Sequence, residues 1–260
     1  MERAIALVAS LSLAAACGSS ASSPGTSSTT ALGTMQAGEL NVELLSGGTL
    51  ATGLNQMYVK LTDASGASVA GASLTLLPAM DMGSMGSMGA PVFGTPMTYS
   101  AGLYQCQVVF PAASGSMGSW SVDVTVQPSG GSAADADFGP LTVTDSGRAQ
   151  TFTVGSTEYL ISMNFAATPH VGLNPIVVTL DSSQDMGTTY TPVTDATFTL
   201  DPEMPSMGMG ASESVNPTLA SPGLYDGQVS FSMQGTWVTT VTVDRPGFTA
   251  AMSVAITTTL

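Results

Sequence analysis

Gly102-Leu103-Tyr104-Gln105-Cys106-Gln107-Val108-Val109-Phe110 sets Tyr104, Cys106, Val108 and Phe110 at alternate positions. A period of two puts those four side chains on one face of an extended segment, the mark of a half-buried β-strand. The phrase is written twice. Gly223-Leu224-Tyr225 repeats its opening 121 residues later, and Trp120, which opens the following segment, returns 117 residues later as Trp237. Upstream, Gly53-Leu54-Asn55 recurs as Gly172-Leu173-Asn174 at an offset of 119, and Pro78 and Met80 recur as Pro202 and Met204 at an offset of 124. An offset that drifts by a few residues between fixed anchors indicates one scaffold duplicated, with loops of different length.

Around these anchors, short alternating runs are separated by Gly, Ser, Asp and Asn. In the first copy Leu40–Leu44, Gln56–Leu61, Ala72–Leu76, Tyr104–Phe110 and Trp120–Val126 read as strands, the last two as a hairpin pair. After a loose stretch, Pro128–Ala136, Leu141–Thr144 and Gln150–Val154 close the unit. The second copy repeats the scheme with Glu158–Phe165, Pro175–Leu180, Ala196–Leu200, Tyr225–Phe231, Trp237–Val243 and Ala251–Thr257. About seven short strands per ~100 residues is the pattern of an immunoglobulin-like sandwich. The expected fold is therefore all-β, with two tandem immunoglobulin-like β-sandwich domains, 39–154 and 155–260, after a signal peptide and a flexible tether. The two tryptophans are expected in the cores.

The N-terminal segment reads as targeting sequence. Arg3 precedes an apolar run from Ala4 to Ala16, too short to span a bilayer and suited to a cleaved signal. Ala14-Ala15-Ala16-Cys17 resembles the bacterial lipobox, in which the cysteine is lipidated and becomes the new N-terminus. Residues 1–17 are thus read as lipoprotein signal peptide and lipobox, and 18–38, rich in Ser, Gly and Thr, as the tether. An ordinary secretory signal cut near the same point is the alternative. With Cys17 lipidated, Cys106 has no partner for an intrachain disulfide and is expected to be a buried, inert thiol; its counterpart is Gly227. The expected location is the bacterial cell envelope, lipid-anchored at the outer membrane, with membrane contact only through that anchor.

Charge removes further classes. Four basic residues face 18 acidic ones for a net charge of −14, so phosphate neutralisation by Lys and Arg, and with it nucleic-acid binding, is excluded. Enzymatic constellations are also missing. A Ser-His-Asp arrangement would have to use His170, the only histidine, and no nucleophile motif accompanies it. Zinc-type Cys/His spacing and phosphate-cradling glycine motifs are absent.

Each copy carries a methionine-rich loop after the Pro-x-Met phrase, with Met80, Met82, Met85 and Met88 in the first and Met204, Met207 and Met209 in the second. The order Leu-x-Pro-x-Met, Met-rich loop, Gly-x-Tyr strand and Gly-x-Trp strand resembles the YtkA-like/FixH-like family of bacterial exported domains. The positions carrying the resemblance are Met80, Met82, Gly102, Tyr104, Met117, Gly118 and Trp120, then Pro202, Met204, Met207, Gly223, Tyr225, Met233, Gly235 and Trp237. The resemblance implies copper handling in the envelope. It departs in its loops, which lack the histidine common in the family, and in lacking the membrane helix of FixH-type relatives.

Soft thioether sulfur favours Cu(I) over hard ions. A methionine-only site needs about three converging sulfurs, which either loop supplies if its tip projects from the sandwich, and His170 is a further candidate ligand near that end. Two readings follow: an envelope lipoprotein that binds or buffers Cu(I) through these residues, or a structural lipoprotein presenting its sandwiches to an envelope protein partner without metal. The methionines also read as apolar padding or as sacrificial oxidant traps.

Overall fold

A computed structural model describes residues 29–211 and 213–260. The first half forms β1 (Thr30–Ala37), β2 (Leu40–Ser46), β3 (Gly53–Thr62), β4 (Ser73–Asp81), β5 (Ser87–Gly89), β6 (Val92–Ser100), β7 (Leu103–Phe110), β8 (Ser119–Gln127) and β9 (Ala134–Leu141). One sheet has the order β1-β2-β3-β7-β6 and the other β5-β4-β8-β9. Within them β2-β3-β7-β6 faces β4-β8-β9, the ABED-against-CFG arrangement of an immunoglobulin constant domain, with β1 and β5 added at the edges. Alternation fills the space between the sheets. Met57, Val59 and Leu61 of β3 and Tyr104, Cys106, Val108 and Phe110 of β7 join Leu74, Leu76 and Met80 of β4 and Trp120, Val122, Val124 and Val126 of β8 in one core.

The second half repeats this plan: β10 (Ala149–Val154), β11 (Thr157–Phe165), β12 (Gly172–Ser183), β13 (Thr191–Pro192), β14 (Thr197–Met204), β15 (Met209–Gly210), β16 (Val215–Ser221), β17 (Leu224–Phe231), β18 (Thr236–Asp244) and β19 (Met252–Thr259). Its sheets run β10-β11-β12-β17-β16, with β13 beside β12, and β15-β14-β18-β19. Both sandwiches are fastened alike. The Tyr104 hydroxyl donates to Val69 O and accepts from Ala72 N, and the Tyr225 hydroxyl donates to Val193 O and accepts from Ala196 N. The indole N–H of Trp120 donates to Ala112 O, and that of Trp237 to Met233 O. Asn55 and Asn174 each donate to the carbonyls two and four residues upstream and accept the N–H four residues upstream. His170 therefore occupies the place of Ala51, as the 119-residue offset requires.

Four readings of the sequence change. Segments 103–110 and 119–127 are not a hairpin: β7 and β8 lie in opposite sheets, and the Gly/Ser stretch between them crosses the sandwich. The run read as loose contains the start of β9, whose Ala136 and Phe138 are buried; alanine at inward positions had disguised the alternation. Segment 150–154, read as closing the first unit, pairs with β11 and belongs to the second. The tether is also shorter than read, because Thr30–Ala37 is a strand paired to β2. The targeting readings, Cys17 included, fall on residues 1–28, outside the described residues.

The sandwiches meet through a small apolar cluster of Phe93, Val109 and Leu160, with Leu54, Ala149, Tyr190 and Leu224 against it. Polar contacts pin it: Leu54 N–H donates to Asn164 Oδ1 at 2.9 Å, and Gly89 N–H to Gly187 O at 2.8 Å. On β12, directly opposite Leu160, Asp181 is 1% exposed, and its Oδ2 has no partner among the described residues.

Burial pushes the Asp181 carboxyl up to about 8 from an ordinary value of 3.8. Between those values the folded chain holds a proton that the unfolded chain has released, so stability falls as pH rises. The slope is at most about 1.4 kcal/mol per pH unit, and it vanishes above the folded value. Asp181→Asn is expected to remove this loss and to raise stability at pH 8 relative to the parent. Denaturant unfolding at a series of pH values between about 4 and 9 measures it, with parallel curves for the two proteins as the contrary result.

Candidate functional site

The methionine segment of the first sandwich is a hairpin, not a free loop. β4 runs into a 3₁₀ turn, Gly83–Met85, and returns as β5, with Met80 opposite Met88 and Met82 N–H bonded to Gly86 O. Residues 80 and 82 share a face by the strand period, and Met88, paired across from Met80, shares it too. That face is the core. Met80 is fully buried opposite Trp120 in the register of β4 and β8, while Met82 and Met88 pack half-buried against the same cluster. Only Met85 of the four projects outward, 66% exposed. The expectation that about three of these four thioethers converge at an exposed tip is corrected here: alternation turns three of the four inward.

The second hairpin differs. Met204 is buried, with its Sδ and Cε against Gly235, where a Cβ would lie 2.7 Å from Cε. This candidate ligand too is a core residue. Met207 and Met209 remain outside, 60% and 40% exposed. The exposed His170 lies at this same end, since it precedes Gly172, which pairs with Phe231 and lines one groove with Gly210 and Ala211. Its Nδ1 makes a short contact with Asn174 Oδ1, which leaves Nε2 as the ring's outward nitrogen. Of the predicted ligands in the second sandwich, Met207, Met209 and His170 are the exposed ones.

The sequence did not reveal what the first hairpin does instead. Its return strand is clamped to the second sandwich: Gly89 N–H bonds to Gly187 O, and Thr188 Oγ1 donates to Ser87 O at 3.3 Å. A Cβ on Gly89 would run into the Thr188 carbonyl oxygen, so glycine is required there. The equivalent residue of the second sandwich, Gly210, is exposed.

The same asymmetry holds for the apolar face beside it. Register makes Leu173 the counterpart of Leu54 and Val215 the counterpart of Phe93, because Leu54 and Leu173 pair with Val109 and Ser230, and Phe93 and Val215 with Gln107 and Gln228. In the first sandwich this face is covered. In the second, Leu173 is 42% and Val215 51% exposed, with Val171 next to them. Leu173 was visible in the repeated Gly-Leu-Asn phrase, but Phe93 and Val215 lie past loops of unequal length, where sequence offset loses the correspondence.

Elsewhere the chemistry is quiet. A groove of about 640 Å³ beside the junction is lined by Gln56, Phe93, Gln105, Gln107 and Leu224, and its one thiol, Cys106, is pushed up to about 12 by burial. A thiol held that high is not a nucleophile at neutral pH.

Residues 153–242 match the model of the YtkA-like family. No curated protein matches the chain. Among solved structures, the Escherichia coli adhesin FdeC is 19% identical, with a TM-score of 0.25, over 80% of this chain and 60% of that one. A conserved domain protein from Bacillus anthracis is 11% identical, with a TM-score of 0.34, over 89% and 91%. The Yersinia pseudotuberculosis adhesin InvE is 12% identical, with a TM-score of 0.24, over 82% and 56%. The chain thus spans little more than half the length of the two adhesin chains.

The burial of the thioethers is directly readable by oxidation. Brief peroxide treatment followed by peptide mass spectrometry is expected to convert Met85, Met186 and Met207 first and to spare Met80 and Met204. Met80→Ala is expected to cost about 2–5 kcal/mol in unfolding experiments, as for other buried methionines, while Met85→Ala stays within about 0.5 kcal/mol. Equal oxidation of Met80 and Met85 would contradict this placement.

Proposed function

We propose that the chain is a non-catalytic lipoprotein of the bacterial cell envelope, anchored through Cys17, that offers the far end of its second sandwich to a protein partner. One observation carries the reading. The face that the first sandwich buries in its own junction is present in the second, and there Leu173, Val215 and the Gly210 edge are bare. Burying such side chains is worth about 25 cal/mol per Å² of apolar surface removed from water. The rim bears Glu203 and Glu213, both exposed, so the partner suited to it has an apolar end flanked by basic residues. The family match over the second half, and the identical strand order of the first, support reading both sandwiches as YtkA-like domains.

Copper handling is the second reading, favoured by the exposure of Met207, Met209 and His170 on the second sandwich. It has lost the buried Met80 and Met204, and the first hairpin retains one outward sulfur.

A photo-crosslinking residue at position 173 or 215, introduced in cells, is expected to give a discrete protein adduct. One at Leu77, also exposed, is expected to give none. Adducts of equal yield from all three positions would defeat the proposal.

Copper is tested separately by titrating Cu(I) against a chromophoric chelator. The expected result is the same weak withdrawal by the parent and by a variant with Met207 and Met209 changed to Leu and His170 to Ala. Stoichiometric withdrawal by the parent alone would establish the copper reading.

A further inference from the structure

A polar recess of about 200 Å³ opens at the junction, walled by the Ser46–Thr52 turn, Gln56, Ser146, Arg148 and Asn164. From its geometry we infer that this recess is a binding site for a compact oxyanion, a carboxylate, sulfate or phosphate group, with Arg148 as the principal ligand.

The argument begins with charge. Of the three basic side chains among the described residues, Lys60 pairs with Glu43 at 3.6 Å and Arg245 with Asp195 at 2.9 Å. Arg148 belongs to neither pair, and its guanidinium donates to no described residue. In a chain of net charge −14, it is an uncompensated cation held in a recess of neutral dipoles. Its position is fixed. The guanidinium lies over the Phe165 ring at 5.7 Å, and the Arg148 N–H donates to Ser146 Oγ at 3.2 Å. A cation–π contact holds the guanidinium without engaging its N–H groups in hydrogen bonds, and these suit a bidentate acceptor.

Other donors stand close by. Gly48 and Thr49 lie in the exposed turn between β2 and β3, and their amides bond to no described residue. Successive turn amides beside an arginine are a recurrent setting for small anions. The carboxylate of Asp145 lies behind the recess wall, one oxygen accepting from the Thr52 hydroxyl at 3.1 Å and from Gly147 N–H at 2.9 Å, and Asp145 does not line the recess. The site is composite, since Ser46 to Gln56 come from the first sandwich, Ser146 and Arg148 from the connection before β10, and Asn164 from the second. Pockets between domains are common ligand sites, and an occupant here touches both.

The test is a titration of the whole protein with sodium sulfate, and separately with sodium acetate, at ionic strength held constant with sodium chloride. Amide resonances are followed by NMR. Saturable shifts confined to residues 46–49 and 146–148, with either anion, are the expected result. Arg148→Gln is expected to abolish them, Arg148→Lys to weaken without abolishing them, and Lys60→Gln to leave them unchanged. Sulfate also stabilises proteins by exclusion from their surfaces, but that effect neither saturates nor localises. Non-saturating shifts with both anions, or the same shifts in Arg148→Gln while its spectrum elsewhere matches the parent, would overturn the proposal.

Discussion

The facing of Met80 and Trp120, and of Met204 and Trp237, governs most of what the molecule can do. In each sandwich the thioether and the indole lie at one end of the core, where the strand that ends in the Pro-x-Met phrase runs beside the strand that the tryptophan opens. The indole is fully buried in both copies, and its N–H is satisfied by a carbonyl of the preceding loop. Phe110 and Phe231 pack on the two indoles, with ring centroids 5.0 and 5.5 Å away. A flexible, polarisable side chain fills the remaining irregular volume well, which is what methionine does in many cores. Glycines complete the fit: Gly118 and Gly235 lie where a Cβ would strike Met80 or Met204, and both have the positive φ that glycine tolerates. A sequence rich in methionine at this point is therefore first a packing solution.

Much of the fold was legible because its signals are local. Alternation gave β2, β3, β4, β7 and β8 and their counterparts, and the duplicated Gly-Leu-Tyr and Gly-Leu-Asn phrases gave the two copies. Local signals failed where a strand has weak alternation or depends on a distant partner. β6 and β16 carry register irregularities and proline, and β9 uses alanine on its inward face. Strand β10 shows which sandwich owns it only through its pairing with β11. The hairpin error had the same source, since two neighbouring strands in sequence can lie in different sheets when the loop between them crosses the sandwich.

The candidate site was less legible. Residue type correctly marked the methionine hairpins as unusual, but whether a sulfur points out or in depends on its strand phase relative to the core. Carrying the period of two from Leu74 and Leu76 through Met80 to Met82 would have turned those sulfurs inward. No comparable rule reveals Gly89 as a clamp, or Arg148 as a lone cation over Phe165. The first follows from one sandwich approaching the other, and the second from the connecting segment folding back along β11.

That contact also bears on what can cover the free end. The receiving side of the junction is built on Leu160 and Leu224, with Asp181 beneath. Register makes Asn41 and Thr62 the first sandwich's counterparts of Leu160 and Asp181, since Asn41 pairs with Thr62 as Leu160 pairs with Asp181. An asparagine whose side chain is turned onto Asp63 O offers no apolar seat to Leu173 or Val215. Charge opposes self-association as well, because the chain carries 18 acidic residues against four basic ones. Head-to-tail stacking of identical chains would thus set an apolar face on a polar one between like-charged bodies. The exposed end of the second sandwich is shaped by the same plan as the buried end of the first, while the first sandwich has a polar Asn41 in place of the Leu160 seat. The partner proposed above, apolar at its contact and basic at its rim, is compatible with both features.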